Sequence, residues 1–450
     1  MQSNCNLCIG SVRPSWSKDL SKKPLRYKGP RGYVYKGLTT CLTTNAHTDL
    51  SSKVASQRHH VAPNEAALTC TPMEQAPEPL DLDEFRASVQ TWLGANKATA
   101  PRDYGAICPP DLISAGIEWQ QRIFEAGFAG IHWPVEHGGR GLSSAHQAVW
   151  MHECALAGVP PVLNMVGLVL AGGSIMKFGT PEQQQQHLLP TLQANRVWCQ
   201  LFSEPGAGSD LGSLSTRAER DGDRFIINGQ KVWCSGGRYS DWGILMARTN
   251  PEAKKHDGIS FFLFPMNLPG VEIRPLKQLT GEAEFDEVFF TDVELPADQL
   301  LGPLHGGWGV GMAVLTNERG HIGASVIGLE RRLESMARIA DGRDLNAVQR
   351  QSLAQLISRG NAFKAMGLRQ GPVASTAASL MKLGITEMMF DSAMLRGDLA
   401  GAAAMLVGPD SQGMLAAPGG RIAGGTSQVQ RNIIGERLLG LPREPKPTGT

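Results

Sequence analysis

The feature that most constrains the fold is a change of hydrophobic spacing along the chain, from helical to strand-like and back to helical. From about Leu80 to about Asn195, apolar residues recur every three or four positions, which is typical of helices. Between about 197 and 298, short β-type runs separated by turn residues replace this pattern. Helical spacing then returns from Gly306 onward. The sequence therefore predicts a mainly α-helical protein with an inserted small antiparallel β-sheet or barrel.

The expected domain limits follow these changes. We expect an N-terminal helical domain, a middle β-domain, a C-terminal helical bundle and a short tail, over residues 78–196, 197–298, 304–444 and 445–450. The turns of the β-domain are predicted at Gly222-Asp223, Asn228-Gly229 and Pro269-Gly270, and residues 407–425 are predicted to be a Gly/Pro-rich connection.

The first 72 residues differ from the rest of the chain. They are basic, rich in Ser, Thr, Pro and Gly, and lack sustained hydrophobic periodicity. We expect them to be disordered, or to be a spurious extension with Met73 as the real start. An organelle transit peptide is the third alternative, although Pro24 and Pro30 would break an amphipathic helix.

Composition excludes several classes of function. The net charge of +1 gives no electrostatic case for nucleic acid or an anionic membrane as a partner. The longest apolar run, Val162–Ala171, is too short to span a membrane. The eight cysteines are scattered, and Cys5 and Cys8 lack a second pair that would complete a zinc site. We therefore expect no metal, reduced thiols and a cytoplasmic location, or the mitochondrial matrix if the N-terminus is a transit peptide.

The stretch Cys199–Ser235 has the composition of a cofactor site. It contains a polar, glycine-rich loop at 203–210, and glycines let a backbone approach a ligand closely. Ser209 adds a hydroxyl, and Trp233 adds a flat apolar face beside small polar residues. Such a loop suits a planar cofactor with a phosphate tail, and a flavin dinucleotide fits. Trp233 taken alone would more often be a core residue than a cofactor platform, and no Rossmann fingerprint supports a nicotinamide cofactor.

Glu318 is the candidate general base. Steps of three and four residues place it on one helical face with the apolar residues Leu315, Ile322, Val326 and Leu329. Burial on such a face would raise the pKa of the carboxyl group toward neutrality, which suits a base. The alternative is a structural ion pair with Arg319 or with a distant arginine.

The last predicted helix, about Ser427–Leu438, follows the sequence Gly424-Gly425-Thr426-Ser427. Thr426 or Ser427 can be an ordinary helix cap. The functional alternative is that backbone N–H groups at this point bind a ligand.

These segments resemble the acyl-CoA dehydrogenases over roughly Leu80 to Glu444. LFSEPGAGSDLGS followed by KVWCSGG resembles the flavin-binding loop of that family, and RIAGGTSQVQRNIIGERLLGLPRE resembles its C-terminal signature. TNERG resembles the start of its C-terminal bundle, and WPVEHGGRGLS its N-terminal domain. The resemblance implies an N-terminal helical domain, a middle antiparallel β-barrel and a C-terminal four-helix-type bundle.

The resemblance implies FAD-dependent α,β-dehydrogenation of an acyl-CoA thioester, in which a base removes the α-proton while hydride leaves the β-carbon for flavin N5. It implies dimers or tetramers, and an electron-transferring flavoprotein or a similar acceptor as partner. The residues that would contact the flavin ring or the rest of FAD are Phe202, Ser203, Trp233, Ser235, Thr426 and Gln428. Ser209 would reach CoA or a cofactor phosphate, and Arg319 would lie near CoA.

The position of the base varies within that family. Many members carry a glutamate where this chain has Gly424, whereas the isovaleryl- and long-chain-type enzymes carry it at the position of Glu318. The backbone N–H of Gly424 would still polarise the thioester carbonyl. The Arg-x-x-Phe-Gly and Gln-x-x-Gly-Gly elements of the family are absent near 331–350 and 395–410. This absence leaves open a non-catalytic or half-site subunit of a heteromeric enzyme, and a flavin oxidase or monooxygenase on the same fold is a third alternative.

Overall fold

A computed structural model describes residues 80–101, 107–321, 333–338, 340–367 and 374–443, without the side chains of 316–321, 367 and 374–377. Its N-terminal part is helical, as predicted. The helices are α1 (Leu82–Asn96), α2 (Ile113–Glu125), α3 (Ser144–Ala157), α4 (Gly172–Phe178) and α5 (Pro181–Leu192). The first 72 residues, and the disorder expected for them, lie outside the described residues.

Aromatic side chains form the core of this helical domain. The rings of Phe128 and Trp150 stack with centroids 4.9 Å apart, and the ring centroids of Trp92 and Trp119 are 5.2 Å apart. A π-helical turn, Val166–Ala171, leads directly into helix α4. Glycine at 172 permits this path, since a Cβ there would lie 2.2 Å from the Trp133 ring.

The strands of the middle domain are β1 (Trp198–Leu201), β2 (Arg217–Asp221), β3 (Arg224–Ser235), β4 (Trp242–Arg248), β5 (Ile259–Pro265), β6 (Val271–Leu276) and β7 (Phe285–Pro296). They form one mixed sheet in the order β1-β4-β2-β3-β7-β6, with β5 paired to β4. Most pairs are antiparallel, as predicted, but β1 and β2 both run parallel to β4. The hydrophobic pattern carries little sign of β1 or β2, because β1 has only four residues and β2, RAERD, is highly charged.

The predicted hairpin turn at Asn228-Gly229 is wrong. These residues lie inside β3, where the pairing with β7 shifts by a bulge. The side chain of Asn228 pairs with Asp292 of β7 through bonds of 3.0 and 2.9 Å, so its turn-forming groups are used across the sheet. The hairpin between β2 and β3 closes at Gly222-Asp223, as predicted, with Gly222 at φ 61°.

The C-terminal domain is helical where it is described. Its helices are α6 (Gly307–His321), α7 (Ala347–Gly367), α8 (Ala374–Ala400), α9 (Pro409–Gly420) and α10 (Ser427–Ile433), and residues 333–338 are helical too. The prediction of an irregular connection over 407–425 is wrong at α9. Pro409 begins that helix, and Asp410 in its first turn pairs with Arg396 of α8 at 2.8 Å. Within the described ranges, no helix is long and apolar enough to cross a membrane.

Two glycines let α6 pack directly on the sheet. A Cβ at position 307 would lie 2.3 Å from the Ser260 carbonyl carbon, and one at position 311 would lie 2.8 Å from Met246 Sδ. Val314, one turn further on, is buried in the core shared with the N-terminal helices. This contact fixes how α6 lies on β4 and β5.

A buried histidine lies where α5 meets the sheet. The ring of His187 is fully buried, and its Nδ1 lies 2.7 Å from Nη1 of Arg196. It forms a T-shaped contact with the Trp242 ring, with centroids 4.5 Å apart. Burial, and secondly the charge of Arg196, lower the pKa of His187 from 6.5 to about 3. His187 therefore stays neutral in the folded protein at a pH where it would be protonated in the unfolded chain.

This histidine predicts acid sensitivity. Because the pKa of His187 is lower in the folded state, its contribution to stability is complete above pH 6.5 and is lost as the pH falls toward 3. The loss should follow a slope of about 1.4 kcal/mol per pH unit. Denaturant unfolding at a series of pH values should show this slope in the wild type and a shallower one in His187→Gln. The exposed His132→Gln is the control, and equal slopes in wild type and His187→Gln would contradict the assignment.

Candidate active site

Trp233 lies at a bulge in β3. The register between β3 and β7 shifts between Lys231 and Cys234, which leaves β3 with one extra residue there. Trp233 takes a left-handed backbone conformation, with φ 61°, at a cost of about 1–3 kcal/mol for a non-glycine residue. Its side chain is 54% exposed and contacts the Phe285 ring edge-on at 5.7 Å. The bulge thus turns a large aromatic side chain out of the core.

The loop that precedes Gly206 is bonded to the same bulge. The backbone N–H of Val232 donates to the Ser203 carbonyl at 2.9 Å, and Lys231 Nζ donates to the Phe202 carbonyl at 3.0 Å. Phe202 is buried, and the side chain of Ser203 is half-buried. Ser235 is half-buried two residues beyond Trp233 in β3. The structure therefore brings four predicted cofactor residues together, namely Phe202, Ser203, Trp233 and Ser235.

A buried ion pair holds the loop against the strands. Lys231 Nζ lies 2.7 Å from Glu204 Oε1, and both side chains are almost completely buried. Glu204 also accepts hydrogen bonds from the backbone N–H groups of Ser215 and Thr216, at 2.6 and 2.9 Å. Burial alone would raise the pKa of Glu204, but Lys231 and these hydrogen bonds outweigh it and lower the pKa to about 2. Glu204 is therefore a permanently charged structural group.

The tip of the loop is exposed. The backbones of Glu204 and Ala207 exchange two hydrogen bonds of 3.0 Å, which closes the turn around Gly206. Ser209 is exposed, and the neighbouring Asp210 is fixed by Lys255 at 2.5 Å and by Ser213 at 2.6 Å. The contacts of Glu204 and Asp210 thus stabilise the loop itself.

The loop has the open space that a cofactor requires. A Cβ added at Gly206 or Gly208 would meet no atom within 4 Å, so packing within the described chain does not demand glycine at either position. Open glycines, the hydroxyls of Ser203 and Ser209, and an exposed indole beside them fit a planar cofactor with a phosphate tail. Among the described residues, no group of three or more His, Cys, Asp and Glu side chains could hold a metal ion.

The second group of predicted residues surrounds the turn before α10. Gly424 and Gly425 are left-handed, with φ of 63° and 89°. Thr426 caps α10 by accepting a hydrogen bond from the Val429 N–H at 3.2 Å, as its alternative role predicted, and Gln428 is exposed. Between described residues, no hydrogen bond or ion pair joins this turn to the Trp233 loop. The described contacts therefore do not bring the turn and the loop together.

Glu318 and Arg319 lie on α6, but their side chains are outside the described residues, as are Ile322, Val326 and Leu329 of the predicted apolar face. Leu315 is half-buried against the N-terminal core. The backbone places position 318 four residues after Val314 and seven after Gly311, on the helical face by which α6 packs on the sheet.

Two buried lysines were missed from the sequence. Lys231 bonds the loop to β3, and Lys382 of α8 donates to the carbonyls of the turn before α10. Lysine is rarely buried, and a lysine in a strand or helix pattern gives no sign of it.

Family models match all three parts of the chain. The acyl-CoA dehydrogenase N-terminal, middle and C-terminal domain models match residues 82–195, 199–293 and 305–439. The chain belongs to the acyl-CoA dehydrogenase family. It is accordingly an oxidoreductase acting on CH–CH groups, and members of its family are flavoproteins of lipid metabolism. The three-domain architecture expected from the resemblance is confirmed.

Individual members of the family align with most of the chain. It is 39% identical over 383 residues to acyl-CoA dehydrogenase IpdE1 of Mycobacterium tuberculosis, a match that spans 81% of this chain and 99% of IpdE1. The solved Tcur3481-Tcur3483 steroid ACAD has a TM-score of 0.70 at 28% identity, over 82% of this chain and 99% of that one. The ChsE4-ChsE5 complex of M. tuberculosis has a TM-score of 0.67 at 27% identity, over 83% and 100%.

The ion pair under the loop predicts a large effect on stability. Lys231→Met leaves the Glu204 carboxylate buried without its partner, so we expect the free energy of unfolding to fall by about 3–5 kcal/mol. The double variant Glu204→Gln with Lys231→Met should recover part of that loss. Lys255→Met, which breaks the exposed pair with Asp210, is the matched control and should cost less than about 1 kcal/mol. Equal losses in Lys231→Met and Lys255→Met on denaturant unfolding would refute the assignment.

Proposed function

We propose that the protein catalyses FAD-dependent α,β-dehydrogenation of an acyl-CoA thioester. The observation that carries this proposal is the exposed Trp233 indole, held at a strained bulge beside the Ser203 hydroxyl and an open glycine loop. Strain of this kind persists where the surrounding structure enforces it, and it is concentrated at functional sites. Membership of the acyl-CoA dehydrogenase family supports the same function.

The residues of the β-domain would hold the cofactor. Phe202, Ser203, Trp233 and Ser235 would line the flavin ring, with Trp233 as the flat apolar surface. Ser209, exposed on the loop, would bind CoA or a cofactor phosphate, and Thr426 and Gln428 would contact FAD from the C-terminal turn. Bound FAD would supply the acceptor for the hydride that leaves the substrate β-carbon.

The substrate proton would be taken by Glu318. One carboxylate oxygen would accept the α-proton, and the position of residue 318 on the sheet-facing side of α6 supports this role. The backbone N–H of Gly424 would donate to the thioester carbonyl oxygen and stabilise the charge that develops there. Arg319 would lie near the CoA portion.

The acyl group of the substrate could be straight, branched or steroid-derived, and the comparisons support one of these classes. The likeness to the Tcur3481-Tcur3483 steroid ACAD supports a steroid-derived acyl group over straight or branched chains. An electron-transferring flavoprotein or a similar acceptor would reoxidise the enzyme. A panel of acyl-CoA thioesters of the three kinds would rank these substrates by kcat/KM.

The proposed base gives a direct prediction. Glu318→Gln keeps the size of the side chain but cannot accept a proton, so turnover should fall by at least about a hundredfold, within the range ascribed to general base catalysis. The flavin content should not change. The measurement is flavin bleaching after anaerobic addition of acyl-CoA, with the exposed Glu334→Gln as the matched control. Undiminished bleaching in Glu318→Gln would remove Glu318 from the mechanism.

A second candidate function, a half-site subunit of a heteromeric acyl-CoA dehydrogenase, is favoured by an exposed apolar segment. Met405, Leu406 and Val407 follow one another in the chain and are 88%, 70% and 93% exposed. Consecutive exposed apolar residues of this size mark a surface that another chain covers. The likeness to the ChsE4-ChsE5 complex supports an unlike partner.

The two candidate functions differ in what the chain does alone. A half-site subunit expressed by itself should be colourless or insoluble, and co-expression with its partner should restore flavin and solubility. A complete enzyme should carry one FAD per chain without any partner. Native mass measurement and flavin absorbance of the purified chain distinguish the two outcomes, and a soluble, flavin-loaded, active homo-oligomer would exclude the half-site function.

A further inference from the structure

The turn before α10 has its carbonyl groups held from inside the helical domain. Lys382 Nζ, on a side chain only 2% exposed, donates to the carbonyl oxygens of Gly425 at 2.7 Å and Gly420 at 3.3 Å. Gln430 Nε2, on an equally buried side chain, donates to the Gly424 carbonyl at 3.2 Å. Side chains from α8 and α10 thus hold successive peptide groups of one exposed turn.

The orientation of these carbonyls fixes the orientation of the N–H groups. The peptide bonds of the described chain are trans, so each C=O points opposite to the N–H of the following residue. A Gly424 carbonyl directed at Gln430 turns the Gly425 N–H away from the domain interior. A Gly425 carbonyl directed at Lys382 does the same for the Thr426 N–H. Neither N–H donates a hydrogen bond to any described residue, nor does that of Gly424.

The Gln430 amide shows that this arrangement has a cost. Its Oε1 is buried and has no hydrogen-bond partner among the described residues. Flipping the amide would place Oε1 against the Gly424 and Gly425 carbonyl oxygens, which repel it, so the orientation with Nε2 toward the turn stands. A buried unpaired oxygen is unfavourable, and it is tolerated here because the opposite end of the amide fixes the turn.

We propose that Lys382 and Gln430 are positioning residues that set the N–H groups of Gly425 and Thr426 to act beside the Gly424 N–H on the thioester carbonyl of the substrate. The inference rests on the proposed function, since it takes the acyl-CoA thioester as the ligand. Neither side chain touches the substrate, and both act through the backbone of the turn. The positive φ of Gly424 and Gly425 makes this backbone conformation costly for other residues. The two buried side chains and the two glycines therefore fix the conformation of the turn together.

The test compares two ligands that differ in the carbonyl group. An enoyl-CoA carries the thioester oxygen, whereas free CoA has a thiol in its place. In the FAD-loaded protein, Lys382→Met and Gln430→Leu should each weaken enoyl-CoA binding by about tenfold, the effect of one weakened hydrogen bond, and leave the affinity for free CoA unchanged. Calorimetry measures both affinities, and the exposed Lys277→Met is the matched control.

Amide hydrogen exchange provides a readout that requires neither catalysis nor substrate. The N–H groups of residues 424–426 should exchange faster in Lys382→Met, with exchange in the β-domain unchanged. If wild type binds enoyl-CoA and both variants bind it as tightly as wild type, the positioning role is overturned. Equal weakening toward enoyl-CoA and free CoA would also overturn it, because that result indicates general damage. If the wild type binds no acyl-CoA but the N–H groups of residues 424–426 do exchange faster in Lys382→Met, then Lys382 positions the turn and the proposed function fails.

Discussion

The buried ion pair between Glu204 and Lys231 is the interaction on which the candidate site depends. Two opposite charges removed from water are tolerated only when their remaining hydrogen-bonding groups are satisfied, and here Ser215, Thr216 and the Phe202 carbonyl satisfy them. The pair bonds a glycine loop to β3 at the point where that strand bulges. The loop and Trp233 are therefore placed by a single buried polar centre.

The same principle recurs in the C-terminal domain. Lys382 and Gln430 are buried, and each donates hydrogen bonds to backbone carbonyls of the turn before α10. In both places a buried lysine donates hydrogen bonds to backbone carbonyls of a turn from the protein interior. The outer surface of each turn then consists of glycine and small hydroxyl residues. This division suits a ligand site, because rigid support lies inside and the contacting groups carry little bulk of their own.

The sequence predicted the order of the domains and most helices, because long amphipathic segments such as α1 and α5 carry their own periodicity. It failed where a tertiary contact decides the local structure. Asn228-Gly229 is a typical turn sequence, but the hydrogen bond of Asn228 to Asp292 across the sheet keeps it within β3. Residues 409–420 read as a loop, yet Arg396 stabilises the first turn of a helix there. The sequence grouped the loop residues Phe202 and Ser203 with Trp233, and the structure places them side by side. The burial of Lys231 and Lys382 could not be predicted, because burial of a lysine depends on partners distant in sequence.

The central claim, that the exposed indole of Trp233 faces the flavin ring, is tested most directly by fluorescence of the apoprotein during titration with FAD. Indole emission is quenched by a flavin in contact, and Trp233→Phe removes one emitter while keeping an aromatic surface. The account predicts quenching in the wild type and, in Trp233→Phe, a smaller quench at unchanged FAD stoichiometry. An equal quench in both proteins at full FAD occupancy would contradict it.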